Sequence, residues 1–265
     1  MTEQRISVRS LVRETWAAIG SVYAPLLVIN FVELSIVVVF KRMLGSGDIA
    51  LNIIYWFGAF PLLSGVQVFY IYRVAIGNQV TVGEAFKQAN RKLLQLMLAN
   101  IPNLIFVLPV FMIEAFNQGG ARWLEFIFDN NRGGIASVLL APGLILLIFL
   151  WSYVGFRLTF SLSGIVIDNS SALHSVSNSW KITKGRFWLI CRSIFLLAFV
   201  SIVPKILGEI LIYLLQQLLV PELWGSLGLV AQITILVLIC LANALIDVYL
   251  VLLYLRLRDS AATIQ

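Results

Sequence analysis

Charge is what this chain most lacks. Only 12% of its 265 residues are Asp, Glu, Lys or Arg, whereas 60% are hydrophobic, and the mean hydropathy is +0.94. Soluble domains carry about 25% charged residues. Histidine occurs once, at His174. A single imidazole excludes paired-histidine acid–base catalysis and bis-histidine haem. The two cysteines, Cys191 and Cys240, lie in apolar stretches without metal-binding spacing, so they read as small apolar residues. There is no phosphate-binding Gly-x-x-x-x-Gly-Lys loop, no Gly-x-Ser-x-Gly elbow and no His-Glu-x-x-His. These absences predict a protein that is not an enzyme and has no metal and no cofactor.

What is present is a series of long uncharged runs. Residues 49–72, 93–113, 133–156 and 223–246 contain no charge. Residues 23–40 contain only Glu33, and 187–204 only Arg192. About 20 apolar residues at roughly 1.5 Å rise cross the hydrocarbon of a bilayer. Their backbone must be satisfied internally, which predicts helices. The expected fold is an all-α polytopic membrane bundle, one integral membrane domain over 1–265. Six transmembrane helices are expected near 21–40, 49–73, 93–115, 134–165, 186–204 and 224–256, with no room for a soluble catalytic domain. The first 20 residues lack an apolar core after their charges and do not read as a cleavable signal. Residues 7–20 predict a surface helix carrying Trp16; the alternative is that they are the opening turns of the first span. After Pro204, residues 205–220 either extend span five or lie on the outer surface.

The basic residues choose an orientation. Fourteen of the 19 Lys and Arg fall on one side: Arg5, Arg9, Arg13; Arg73, Lys87, Arg91, Lys92; Arg157, Lys181, Lys184, Arg186, Arg192; Arg256 and Arg258. Lys41, Arg42, Arg122, Arg132 and Lys205 fall on the other. Short cytoplasmic loops are rich in Lys and Arg, so both termini are expected in the cytoplasm of a bacterial-type inner membrane or thylakoid. This also accounts for the net charge of +6 without nucleic acid.

Two cytoplasmic connections share a design. Thr81 and Glu84 form a capping box opening a short amphipathic helix between spans two and three, with Val82, Phe86 and Ala89 at helical spacing. Ser171 opens a second between spans four and five, with Ala172, Val176, Ser179 and Trp180 inward. At an offset of 90 residues Thr81 meets Ser171 and Ala89 meets Ser179. This is a weak internal duplication or a chance likeness of two linkers. Between spans three and four, 123–128 is bracketed by paired glycines and reads as an outer half-helix.

Arg157-Leu-Thr-Phe, then Ile167-Asp168, then Ser179-Trp180-Lys-Ile-Thr-Lys184-Gly-Arg-Phe-Trp188 resembles a signature of the glycerophosphodiester phosphodiesterase membrane-domain family and the related YciC-like bacterial integral membrane proteins. The ending Tyr254-Leu-Arg-Leu-Arg258 is similar to the family's as well. The resemblance implies a six-span membrane fold and a link to lipids, without implying a reaction.

The candidate site residues are intramembrane polar groups: Arg157, Asp247, Glu33 and Asn30. A charge at the bilayer centre costs about 2.5–3.5 kcal/mol on insertion scales, so such groups face the bundle and pair. Arg157 is expected to pair with Asp247 or Glu33, as a structural ion pair or as a ligand site. Lys87, Arg91, Lys92, Lys181, Lys184, Arg186, Trp180 and Trp188 are expected to contact membrane lipids, the cations meeting anionic headgroups at the cytoplasmic face. The leading functional reading is a non-enzymatic lipid-binding or membrane-organising protein, within a larger complex or alone. The rivals are a transporter of a lipid or small amphiphile and a membrane-bound enzyme.

Overall fold

The computed structural model describes residues 6–44, 54–102, 153–155, 157–218 and 221–262. All regular elements among these are helices. The expected half-helix at 123–128 and most of spans three and four lie outside the described residues.

Helix α1 runs unbroken over Val8–Leu44, with Pro25 inside it, so the N-terminal segment and the first apolar run form one helix. Its buried positions Leu11, Thr15, Val22, Leu26, Ile29 and Asn30 follow three- and four-residue spacing, one stripe along the helix. Its outer face is equally apolar, with Trp16, Tyr23, Val28 and Phe31 exposed. A helix apolar all round suits a bilayer or a protein core.

A π-helical turn over Tyr55–Ala59 leads into α2, Phe60–Ala75. Asn100 donates its side-chain amide to the Trp56 carbonyl within that turn, at 2.6 Å. Helix α2 ends on Gly77 at φ 80°, and the Asn78 N–H returns to the Arg73 carbonyl at 2.9 Å, the bond that closes a glycine-terminated helix. Helix α3, Val82–Arg91, opens on the expected capping box. Thr81 Oγ1 accepts from the Glu84 N–H at 3.2 Å, and the Glu84 carboxylate accepts from the Thr81 N–H at 2.9 Å. The apolar helix α4 follows over Leu93–Pro102.

In the second half, α5 covers Ser161–Ile167 and α6 covers Ala172–Ile182. Ser171 has the extended N-cap conformation, yet its side chain makes no capping bond. Helix α7 continues through Pro204 over Phe187–Leu218, so the segment after Pro204 extends it. Helix α8, Pro221–Ala262, is the longest element and packs against α1, α2, α6 and α7. Among the described residues two stretches are long and apolar enough to cross a membrane, Val8–Ile36 and Ile233–Ala262. Phe187–Val200 and Leu93–Pro102 are shorter apolar helices.

The 90-residue offset reappears in the packing, with a shift from the expected faces. The buried residues are Ala85 and Ala89 in α3, and Ala172, Ser175, Ser179 and Ile182 in α6. Phe86 and Trp180 face outward, and Val176 is half-buried. The cause is close backbone approach. A Cβ on Gly65 would lie 3.4 Å from Ala89 Cβ and 2.7 Å from Leu96 Cδ1. A Cβ on Gly164 would lie 2.3 Å from Ser175 Oγ. Only small side chains fit under each short helix, and the large ones turn to the surface.

Candidate functional site

Two separate polar regions emerge. The first surrounds Arg157, which is more than nine-tenths buried. One guanidinium nitrogen donates to the Trp180 carbonyl at 3.2 Å and to Thr183 Oγ1 at 3.3 Å, and the other donates to Tyr153 OH at 2.8 Å. The guanidinium also lies over the rings of Tyr153 and Trp180, at 5.1 and 5.2 Å from their centroids. Ser179 Oγ donates to the Arg157 carbonyl at 2.6 Å, and Thr183 Oγ1 to the Ser179 carbonyl at 2.8 Å. Gly185, at φ 76°, turns the chain so that Arg186 reaches the Leu257 carbonyl at 3.1 Å and Ser260. Asp168 accepts from Tyr254 OH and, at 3.0 Å, from Arg258. Glu14 pairs with Arg256 at 3.0 Å.

Ser179, Thr183 and Arg186 of this run thus each have a mechanical task. Together they lock α6 to the preceding segment and to the end of α8.

The expected pairing of Arg157 with Asp247 or Glu33 is not formed; among the described residues Arg157 has no carboxylate partner. Helical periodicity supplies the reason. Gly155 and Thr159 line the cavity that holds both acids. Two residues from either is a rotation of about 200° at 3.6 residues per turn, which turns Arg157 to the opposite side.

That cavity is the second polar region. It has a volume of about 430 Å³ and lies between α1, α2, α8 and the segment leading into α5. Three of the four expected residues meet there: Asn30, Glu33 and Asp247. Asn30 and Gln67 are each only 4% exposed. Gln67 Nε2 donates to Asn30 Oδ1 at 3.3 Å, and Asn30 Nδ2 donates to the Leu26 carbonyl at 3.0 Å. Tyr55 OH donates to Glu33 Oε1 at 2.7 Å. Asn30 also lies beside Asp247, whose Oδ2 is buried with no hydrogen-bond partner among the described residues. No basic side chain is among the described lining residues. Ser64, Thr159, Ser163 and Asn243 add further polar surface to walls of Phe60, Val68 and Leu250.

Sequence reading missed Tyr55, Gln67 and Asn243. Two signals pointed to them: Gln67 interrupts an uncharged apolar run, and Asn243 stands four residues before Asp247, on the same helix face.

The expected lipid-contact residues divide. Lys87, Arg91, Lys181 and Lys184 are exposed, and Trp188 is 71% exposed. Lys92 is half-buried and donates to the Ile165 carbonyl at 2.8 Å, and burial pulls its ammonium below the usual lysine range. Arg186 is engaged at the end of α8. Trp180 is the stacking partner of Arg157. Glu84 lies outside the apolar spans, and its bonds to Thr81, the backbone one foremost, hold its carboxyl below the usual range.

Among the described residues no group of three or more His, Cys, Asp or Glu is arranged to hold a metal ion. A comparison with curated proteins and one with solved structures each found no match. Residues 125–265, a little over half of the chain, match the family described as the membrane domain of glycerophosphoryl diester phosphodiesterase. That match contains the locked region around Arg157 as well as Asp247, and with two apolar helices long enough to cross a membrane it marks a membrane protein. The chain belongs to the glycerophosphoryl diester phosphodiesterase membrane-domain family.

Proposed function

We propose that this chain is a non-enzymatic lipid-binding protein of the membrane, with its site in the cavity between α1, α2 and α8. The observation that carries this reading is the cavity's position: buried amides and two acids, walled by apolar residues, within helices that have apolar outer faces. In hydrocarbon an under-satisfied polar cavity is costly unless something fills it. An amphiphile supplies both halves of the match, a polar head for Asn30, Gln67 and Asp247 and an apolar part for Phe60, Val68 and Leu250. The exposed Lys87, Arg91, Lys181 and Lys184 contribute a second, weaker attraction to anionic headgroups at the cytoplasmic face. The six-span arrangement with cytoplasmic termini belongs to this proposal.

The test is native mass spectrometry of the protein released from lipid nanodiscs. A lipid retained at one per chain supports the reading, and loss of all lipid on mild activation removes it. For topology, a cysteine at Gln88 is expected to resist a membrane-impermeant reagent applied from outside, and one at Gly47 to react. The reverse pattern would overturn the orientation.

A further inference from the structure

We infer that the cavity selects a primary ammonium group, a specificity that rests on the binding role proposed above. The cavity presents acceptors in excess of donors. Glu33 and Asp247 bring two carboxyl groups, and none of the described lining residues is Lys, Arg or His. Gln67 Nε2 donates to Asn30, Asn30 Nδ2 to Leu26, and Tyr55 OH to Glu33. Asp247 Oδ2 remains buried without a partner. A ligand that brings N–H donors and positive charge matches this wall, whereas a phosphate would meet two carboxyl groups and no basic side chain among the described lining residues.

An ammonium fits the vacant acceptors better than the other cations do. It carries three N–H donors, and charge-assisted N–H···O bonds are roughly twice as strong as neutral ones. A quaternary ammonium has no N–H and prefers aromatic faces, of which the lining offers only Phe60. A bare metal ion calls for more carboxylate or imidazole ligands than this pair, and the described residues contain no group of three or more His, Cys, Asp or Glu arranged to hold one. The volume of about 430 Å³ exceeds what an ion alone fills and leaves space for a short polar or aliphatic stem along Val68, Ile246, Leu250 and Val251. The ammonium has two possible sources, an aminophospholipid headgroup or a free alkylamine.

The experiment compares the wild-type protein in nanodiscs of phosphatidylethanolamine, phosphatidylcholine and phosphatidylglycerol in equal parts. Retained lipid is identified by native mass spectrometry. Melting is measured in parallel in lipid-free detergent with hexylamine hydrochloride, against hexanol at the same concentration. Ethanolamine lipid enriched about tenfold, and that enrichment lost in Asp247→Asn, is the expected result for a lipid source. Melting raised by hexylamine alone, with no lipid retained, assigns the ammonium to a free amine and removes the lipid-binding reading instead. Retention of all three lipids alike, with no response to hexylamine, overturns ammonium selection and leaves lipid binding standing. No lipid retained and no response to hexylamine overturns both. The wild-type selectivity decides the matter even if the variant fails to fold.

Discussion

The Arg157 region and the Asp247 cavity are built from the same kinds of residue and behave in opposite ways. Around Arg157, three described partners take the ends of the guanidinium, two rings cover its faces, and Ser179 and Thr183 tie down the backbone. Around Asp247, an acceptor stays vacant beside a cavity large enough to admit a ligand. The first arrangement spends both ends of its guanidinium on the protein, leaving Nε alone buried without a partner, and the second leaves a carboxylate oxygen facing an open cavity. The most conspicuous sequence signature therefore marks a structural lock, and the proposed binding cavity sits where the sequence is quieter.

The contrast is breakable, and the largest effect is expected at the lock. Arg157→Ala removes the charge-assisted bonds and both ring contacts, a loss of about 3 kcal/mol. Melting in detergent should fall by several degrees while lipid selectivity in the surviving folded protein is retained. A variant that melts like wild type would show the lock to be ornamental.

Gly164→Ala comes next. Its Cβ would overlap Ser175 Oγ, an overpacking cost of about 1–3 kcal/mol. Adding Ser175→Ala removes the overlapping oxygen and leaves the two Cβ atoms at 3.4 Å, so the double variant should be more stable than Gly164→Ala alone. Additive losses would contradict the close approach of α5 and α6.

Thr81→Ala removes one capping bond from α3, about 1 kcal/mol. Its partner has a pH signature. The folded Glu84 carboxyl is held below its unfolded value, so its contribution is present above the unfolded carboxylate range. That contribution disappears as pH falls through the folded value. Glu84→Gln should flatten this acid limb in amide hydrogen exchange of α3, and an unchanged limb would detach Glu84 from the cap.

The smallest stability effect is expected at the cavity. Asp247→Asn removes an acid that has no cationic partner among the lining residues, so melting in lipid-free detergent should hold steady or rise. A large fall would make Asp247 part of the scaffold and erase the distinction between the two regions.

How far the sequence reaches is visible in particular residues. Helical class followed from the uncharged runs, because hydrocarbon leaves the backbone few options. The capping box at Thr81 and Glu84 was legible because both partners lie within one helical turn. Asn30, Glu33 and Asp247 were legible as a group because buried polar residues in apolar helices seek one another. The partner of Arg157 was not, since charge complementarity ignores which way a side chain is aimed, and rotation about the helix axis sent it to Trp180 and Thr183 instead. The inner faces of α3 and α6 were misread for a related reason. Hydrophobicity favoured Phe86 and Trp180, while clearance at Gly65 and Gly164 admitted only alanine and serine.

The length of α8 carries a last implication. The candidate span Ile233–Ala262 ends in a charged segment with Arg256, Arg258 and Asp259, and the 23 residues before it, charged only at Asp247, rise about 35 Å against a hydrocarbon slab of about 30 Å. A modest lean absorbs a difference of that size. Arg256 and Arg258, bound to Glu14 and Asp168 near the C-terminal end, decide which end emerges. In the proposed membrane placement the helix is a depth gauge: with its charged collar at the headgroups, the distance from Arg258 back to Asp247, 11 residues or about 16 Å, would set how far beneath that surface the cavity hangs.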